Sequence, residues 1–117
     1  MPARLTFPRS RRLSGRSAFA RVFAQRQSAS NQRLVVYAAE NDGKPSRLGL
    51  SVSRRIGSAV IRNRVKRLLR EAFRLEQREL PPGFDFVVVA RTSKDVDVPA
   101  LRQSLLDAAR RAVARRG

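Results

Sequence analysis

The first part of the chain combines a helical spacing of apolar residues with polar residues suited to a helix start. Phe19, Val22 and Phe23 recur at i, i+3 and i+4, which is typical of one face of a helix. Ser14 and Ser17 precede them and are both good N-cap residues. The pattern therefore predicts a short first helix that is capped by one of these two serines.

A strand-like pattern follows. Residues 34–39 (LVVYAA) are rich in β-branched and aromatic residues and predict a strand. Residues 41–43 (Asn-Asp-Gly) are typical of a turn. Residues 47–53 alternate apolar residues with glycine and serine, which predicts another strand. We expect these two strands to pair with each other in antiparallel fashion.

The second half contains the strongest pattern. Ser58 precedes a segment without glycine or proline, so we predict a helix of roughly twenty residues that Ser58 caps and residues 81–83 (Pro-Pro-Gly) terminate. Residues 84–90 (FDFVVVA) predict an apolar strand in the middle of a sheet. Asp97 is expected to cap a last helix with apolar residues at helical spacing. The predicted order is α-β-β-α-β-α, with room for one more short strand before residue 54.

The long helix has two contrasting sides. One side is apolar and is made by Ile61, Val65, Leu68, Leu69, Ala72 and Phe73. The other side is polar and is made by Asn63, Lys66, Arg67, Arg70 and Arg74, with Arg62 at the boundary. Residues 54–75 contain only one acidic residue, Glu71, so basic residues at i, i+4 spacing repel one another. A bound polyanion would cancel this repulsion. A merely solvated charged side is the alternative.

The overall composition also indicates a polyanionic partner. The 117 residues include 26 basic and 9 acidic ones, which gives a net charge of +17, and the 42% of hydrophobic residues suffice for a core. We predict one RNA-binding domain over residues 1–117, with residues 1–13 as a flexible basic arm. Only Lys44, Lys66 and Lys94 are lysines. Arginine suits phosphate contacts and base stacking, although a GC-rich genome would also favour it.

Several classes of chemistry are excluded by composition. The chain has neither cysteine nor histidine, which rules out zinc–thiolate sites, imidazole catalysis and disulfides. Glu71, Glu76 and Glu79 fall on the surface of the predicted long helix, while Asp95 and Asp97 are expected in a turn and a cap. We therefore predict no catalytic residues and no cofactor or metal bound by the protein itself.

The start of the chain bears on its location. No apolar run is long enough to cross a bilayer, and no secretory signal is present, so we expect a cytoplasmic protein without a membrane partner. The Arg- and Ser-rich, acid-free start is also typical of a mitochondrial transit peptide. The phenylalanine-containing stretch that follows favours a folded core instead.

Three aromatic residues are candidates for base stacking. Single-stranded RNA is commonly bound by basic residues together with rings on which unstacked bases lie. Phe19 and Phe23 have this potential, but their i, i+4 spacing equally fits core residues. Tyr37 is the better candidate for an exposed ring because of its hydroxyl group.

Residues 49–73 (GLSVSRRIGSAVIRNRVKRLLREAF) resemble the signature of the bacterial ribonuclease P protein family. The Phe-x-x-Val-Phe motif at 19–23, the strand that ends at Tyr37 and the VVVAR motif at 87–91 occur in the order and spacing typical of that family. A lysine common in the family is replaced by arginine at position 54 or 55, which preserves the charge.

The resemblance implies an α+β fold, described as an α/β sandwich similar to a domain of a ribosomal protein. Its element order is α-β-β-β-α-β-α, with a small mixed sheet and a left-handed β-α-β crossover. General rules of chain topology favour the right-handed connection, so the left hand is expected from the resemblance alone.

The resemblance further implies a function in transfer RNA maturation. The family protein is the accessory subunit of ribonuclease P, and it binds a catalytic RNA that removes the 5′ leader of precursor tRNA with Mg²⁺ at the RNA active site. No further protein partner is expected. The catalytic RNA would contact Arg62, Asn63, Arg64, Lys66, Arg67 and Arg70. The leader would lie against Phe19, Phe23, Tyr37, Arg54, Arg55 and Arg91.

Two alternatives stand beside this hypothesis. A structural ribosomal protein or another RNA-binding protein without an enzymatic role would have the same charge and a similar fold. A transcription factor that reads the DNA major groove is the third hypothesis, but the sequence lacks the spacing of a helix-turn-helix motif.

Overall fold

The computed structural model describes Phe7 and residues 9–115. Within that part, three helices and four strands follow one another as α1 (Arg16–Ala24), β1 (Gln27–Ser30), β2 (Leu34–Glu40), β3 (Arg47–Ser51), α2 (Ala59–Glu76), β4 (Phe84–Ala90) and α3 (Val98–Ala114). Short 3₁₀ turns lie at Arg9–Arg11 and Arg54–Ile56. The order confirms the predicted α-β-β-β-α-β-α arrangement, and β1 is the additional strand.

The four strands form one mixed sheet in the order β1-β2-β4-β3. The pairs β1–β2 and β2–β4 are antiparallel, whereas β3 and β4 are parallel. The expected pairing of β2 with β3 is wrong. The more apolar strand β4 lies between them and pairs with β2 along one edge and with β3 along the other. The parallel pair with α2 as its connection confirms a β-α-β crossover. Its left hand stays a prediction.

The sheet has two faces with different covers. Helices α2 and α3 pack on the inner face. The inner face consists of Leu34, Val36, Ala38, Leu48, Phe86, Val88 and Ala90. Helix α1 packs on the outer face, where Val22 and Leu13 contact Ala39 and Val87. Since α1 has only nine residues, it covers only part of that face.

Two of the predicted helix caps are confirmed. The Ser58 side chain accepts a hydrogen bond from the Ile61 backbone N–H at 3.4 Å. The Asp97 carboxylate accepts one from the Ala100 N–H at 2.8 Å. Both side chains replace the missing backbone acceptors of a first helical turn.

Two other helix ends differ from the prediction. The N-cap of α1 is Gly15, not Ser14 or Ser17, and its φ of 93° places it in a backbone region that favours glycine. Helix α2 ends at Glu76, before the Pro-Pro-Gly sequence at 81–83. The Leu80 N–H still donates to the Glu76 carbonyl oxygen, so a turn separates the helix from the prolines.

An ion cluster fixes α1 against the sheet. Asp85 is fully buried, which corrects the prediction of an entirely apolar strand at 84–90. Its carboxylate accepts two hydrogen bonds from Arg47 at 2.9 and 2.6 Å, one from Asn41 at 3.0 Å and one from Arg21 of α1. Burial raises the pKa of Asp85, but these hydrogen bonds and the two positive charges outweigh burial and lower it.

A second acid also differs from its predicted place. Glu76 was expected on the helix surface, but it is buried between α2 and α3 and accepts a hydrogen bond from Arg102 at 2.6 Å. Helix α3 comes later in the chain. The spacing of residues within α2 alone therefore did not show that α3 packs over Glu76.

Side chains and backbone from other segments cover both edges of the sheet. At the β3 edge, Arg12 pairs with Leu48, and the buried Leu13 donates its N–H to the Leu48 carbonyl at 2.8 Å. These residues belong to the predicted basic arm, whose residues 1–6 and 8 lie outside the described part. At the β1 edge, Arg111 of α3 donates to the Ser30 carbonyl oxygen at 2.8 Å.

None of the described helices combines the length and the apolar character that a bilayer span requires.

Candidate nucleic-acid interface

One side of α2 presents a row of polar residues, which we call the helix face. It consists of the residues expected to contact the catalytic RNA: Arg62, Asn63, Arg64, Lys66, Arg67 and Arg70. Asn63, Arg64 and Arg67 are exposed, whereas the other three are half-buried. The opposite side of α2 packs into the core through Val65, Leu69, Ala72 and Phe73. The amphipathic pattern thus places all six residues away from the main core.

Two residues of the predicted apolar side behave differently from the rest. Leu68 is only partly buried, although it packs against the main core. Ile61 lies in the first turn of α2 and leaves 38% of its surface exposed. The first turn therefore extends beyond the edge of the core.

The positive charges of the helix face have no counter-ion among the residues that the structure describes. Over Phe7 and residues 9–115, ion pairs involve Arg21, Arg47, Arg74, Arg102 and Arg111. None of these belongs to the helix face. The Arg62 side chain donates to a neutral group, the Gly57 carbonyl oxygen, at 3.2 Å.

The nearest acid in the sequence is already engaged. Glu71 accepts two hydrogen bonds from Arg74, at 2.6 and 2.9 Å, and these bonds lower the pKa of the Glu71 carboxyl group. The local charge of the helix face is thus available to phosphate groups of a partner.

The three candidate aromatic residues meet on the outer face. We call them the aromatic cluster. The Phe23 ring lies 4.7 Å from the Tyr37 ring in an edge-to-face arrangement, and Phe19 lies 6.3 Å from Phe23. Phe19 and Tyr37 are half-buried and pack against the core beneath α1, whereas Phe23 is 38% exposed. The rings therefore combine packing with partial exposure.

Close contact between α1 and β3 requires a small residue at position 49. A Cβ atom added to Gly49 would lie 2.8 Å from the Phe19 ring. Glycine lets the ring rest directly on the strand, which positions the aromatic cluster.

The arginines predicted to bind the leader lie at another end of the sheet. Arg54 and Arg55 follow β3, Arg91 follows β4, and all three are exposed. Arg91 also donates to the Asn31 carbonyl oxygen at 2.6 Å. Tyr37 is paired with Val87, so Arg91 lies four residues further along the chain, roughly 13 Å at strand spacing. The structure does not bring these arginines into contact with the rings.

A strip of sheet connects the two groups. Val35, Ser51 and Val89 are neighbours across three strands, lie on the outer face and are half-buried. We call them the outer-face strip. Sequence reasoning missed them, although their alternation with the buried residues of the inner face was the available signal. Together with the aromatic cluster and the three arginines, the strip forms an open path with basic residues at one end.

The helix face and the aromatic cluster also meet, at the edge of β3. Lys66 and Arg70 of the helix face and Phe19 of the aromatic cluster line the same cavity of about 300 Å³. Leu48 and Leu50 of β3 also line it. The two predicted sets of residues are thus neighbours in space, although they come from distant segments.

No group of three or more acidic side chains that could hold a metal ion occurs in the described ranges. The chemistry available on this surface is binding by guanidinium and ammonium groups, stacking by aromatic rings and apolar contact.

The sequence matches the Ribonuclease P family over residues 7–113. It is 43% identical over 106 residues to the ribonuclease P protein component of Brevibacillus brevis, which covers 89% of this chain and 84% of the relative. It is 40% identical over 100 residues to the corresponding protein of Clostridioides difficile, with 80% and 88% coverage.

Solved structures show the same similarity. The RNase P protein of Staphylococcus aureus aligns with a TM-score of 0.75 at 31% identity, over 91% of this chain and 96% of that chain. The RNase P protein of Thermotoga maritima aligns with a TM-score of 0.74 at 39% identity, over 82% and 92%.

Proposed function

Because this chain belongs to the ribonuclease P protein family, we propose that it binds the ribonuclease P RNA and the 5′ leader of precursor tRNA and assists removal of that leader. The chain is a subunit of an endoribonuclease and has an RNA partner. The observation that carries the finer proposal is the helix face, whose cations form no ion pair within the described part of the chain. A structural ribosomal protein, the alternative hypothesis, is not supported by the family match.

The helix face is assigned to the ribonuclease P RNA. Its exposed Arg64 and Arg67 lie at one side of a rigid helix that is anchored by Val65 and Leu69 in the core. Rigid placement lowers the entropy lost when the side chains meet phosphates. Folded RNA offers the closely spaced phosphates that this row of cations requires.

The outer face is assigned to the leader. A single-stranded segment has unstacked bases, and Phe23 and Tyr37 offer partly exposed rings for them. The outer-face strip gives a path of two valines and one serine, and Arg54, Arg55 and Arg91 lie at its end to contact phosphates. A mature tRNA lacks the leader and would gain nothing from this path.

Catalysis is assigned to the RNA partner. The chain has no histidine or cysteine, and its buried acids Glu76 and Asp85 are held by arginines. Mg²⁺ held by the RNA would supply the activated water for hydrolysis of the phosphodiester bond. The residues of this chain would bind and orient the substrate and screen phosphate repulsion. The complex would act in the cytoplasm without a further protein subunit.

The test is a cleavage assay with precursor tRNA, in vitro transcribed ribonuclease P RNA and a magnesium titration. We expect the protein to lower the magnesium concentration needed for half-maximal cleavage, because its +17 charge replaces screening cations. Rigorously RNA-free protein should cleave nothing.

Two results would contradict the proposal. Leader cleavage by the RNA-free protein would place catalysis in the polypeptide. An unchanged magnesium requirement would refute the screening role. Arg110→Ala, which removes an exposed charge from α3 outside both surfaces, is the matched control for Arg67→Ala. Arg67→Ala should raise the magnesium requirement, whereas Arg110→Ala should leave it unchanged.

A further inference from the structure

The first turn of α2 exposes apolar side chains in the most basic part of the chain. Val60 is 79% exposed and Ile61 is 38% exposed. Among the described residues, the only other large apolar side chain with such exposure is Phe23, which belongs to the aromatic cluster. Two of these three residues are therefore adjacent at the start of one helix.

The fold does not account for Val60. The start of α2 is held by the Ser58 cap and by the bond from the Arg62 N–H to the Ser58 carbonyl oxygen at 2.9 Å. Ile61 packs closely over Gly57, whereas Val60 belongs to neither core cluster. A β-branched residue is a weaker helix former than alanine. An acid at this position would interact favourably with the helix dipole, yet the first turn contains none.

The position of Val60 on α2 relates it to the helix face. Residues 60, 63, 64 and 67 lie at i, i+3, i+4 and i+7, so they form a single stripe along the helix. Val60, Asn63, Arg64 and Arg67 are all exposed, which confirms that this stripe points to solvent. Val60 thus continues the row of RNA-directed residues by one turn, but without a charge.

We propose that Val60 makes an apolar contact with an unpaired nucleotide of the ribonuclease P RNA, beside the phosphates that Arg64 and Arg67 bind. This inference rests on the function proposed above. Each nucleotide joins an apolar base face to a charged phosphate, so an apolar side chain in line with arginines matches both parts. An acid at position 60 would repel the phosphates.

The proposed contact has a distinctive dependence on salt. Phosphate contacts release counter-ions, so the loss of one changes the slope of log affinity against log salt concentration. An apolar contact releases no counter-ion. Removing it should lower the affinity by the same factor at every salt concentration and leave the slope unchanged.

The experiment uses the full chain with Val60→Thr, which preserves the shape and the β-branch but replaces one methyl group with a hydroxyl group. Affinity for transcribed ribonuclease P RNA is measured over a range of salt concentrations, beside wild type and Arg64→Ala. We expect Val60→Thr to bind about fivefold to tenfold more weakly with an unchanged slope and melting temperature. Arg64→Ala should reduce the slope by about one.

A second variant, Val60→Ala, keeps the test decisive, because alanine favours the helix and still removes the contact. Wild-type affinity of both variants would overturn the inference. A changed slope in Val60→Thr would also overturn it, since the effect would then pass through phosphate contacts. So would weaker binding of precursor tRNA with unchanged affinity for the catalytic RNA, because the contact would be with the leader. Failure of wild type to bind the RNA would instead refute the proposed function.

Discussion

Arginine occurs in opposite environments in two regions of this molecule. On the outer face, Arg21 and Arg47 surround Asp85, whose buried carboxylate accepts their hydrogen bonds. On the helix face, Arg64 and Arg67 are exposed, and in the part of the chain that the structure describes they form no ion pair. The first pair of arginines stabilises the fold, whereas the second pair is available to phosphates. Net charge alone does not distinguish the two roles.

The largest effect is expected from breaking the ion pairs that Asp85 forms with Arg21 and Arg47. Asp85→Asn leaves the charges of Arg21 and Arg47 without their common carboxylate and should lower the free energy of unfolding by about 3 kcal/mol. Urea denaturation measures this loss. The matched control is Asp107→Asn, which breaks an exposed i, i+4 pair with Arg111 and should cost less than ~1 kcal/mol. Equal losses in the two variants would contradict the assigned role of Asp85.

The ion pairs of Asp85 also predict that the stability of the fold depends on pH. The pKa of Asp85 lies below the ordinary aspartate value of 3.8, because its arginine and asparagine partners outweigh the effect of burial. Its stabilising effect is therefore fully present above the pKa of the unfolded chain and is lost as pH falls through the lowered pKa of the folded state. Asp85→Asn should show a smaller loss of stability on acidification than wild type.

The next largest effect concerns arginines of the helix face, which form no ion pair with the residues that the structure describes. Replacing Arg62, Arg64 and Arg67 with alanine should weaken binding to ribonuclease P RNA about 100-fold, or about 2.7 kcal/mol. The slope of log affinity against log salt should become shallower by about two or more. Stability should change little, since no internal ion pair is lost. An unchanged slope in the folded variant would show that the helix face is only solvated.

A smaller effect is expected where packing and binding coincide. Tyr37→Ala should weaken binding of precursor relative to mature tRNA by about 2 kcal/mol, because a stacking ring is removed. The affinities of the variant for precursor and mature tRNA measure the effect on binding, and a thermal melt measures the effect on stability. Tyr37→Phe retains the ring and should behave like wild type. Equal loss for both tRNA forms, or a melt as low as for a truncated core residue, would assign Tyr37 to the core.

The smallest effect separates stability from charge on α2 itself. Ser58→Ala removes the cap of the helix but none of its cations, so it should cost about 1 kcal/mol of stability. Under conditions where the variant is folded, the salt dependence of RNA binding should match wild type. A shallower slope would mean that the cap positions the helix face.

The sequence pattern predicted individual helices and strands better than it predicted which of them contact one another. Ser58 and Asp97 act locally, so their caps were evident from adjacent residues. The pairing of β2 and β3 was wrong because a later strand, β4, occupies the place between them. The burial of Asp85 depended on Arg21, which lies 64 residues away. Long-range partners of this kind leave no signal in local periodicity.

The candidate site divides in the same way. Spacing within one helix predicted Asn63, Lys66, Arg67 and Arg70 on the polar side of α2 and Arg62 at its boundary, whereas Arg64 joined the helix face through the family resemblance. The structure exposes Arg64 and leaves Arg62 half-buried. The outer-face strip needed the register of three strands, which no single segment contains. The resemblance to a family brought the aromatic residues and the distant arginines into one hypothesis. The roles of both sets remain predictions that the variants above test.

The cover on both sheet edges has a consequence for assembly. An uncovered edge strand offers a template on which a second copy can add its own strand. Repulsion between molecules of charge +17 opposes such contact in the free protein, but RNA neutralises that charge. Arg111 donates a hydrogen bond to the Ser30 carbonyl oxygen of β1, and the Leu13 N–H donates one to the Leu48 carbonyl oxygen of β3. These contacts oppose self-association through backbone pairing even when RNA has removed the electrostatic barrier.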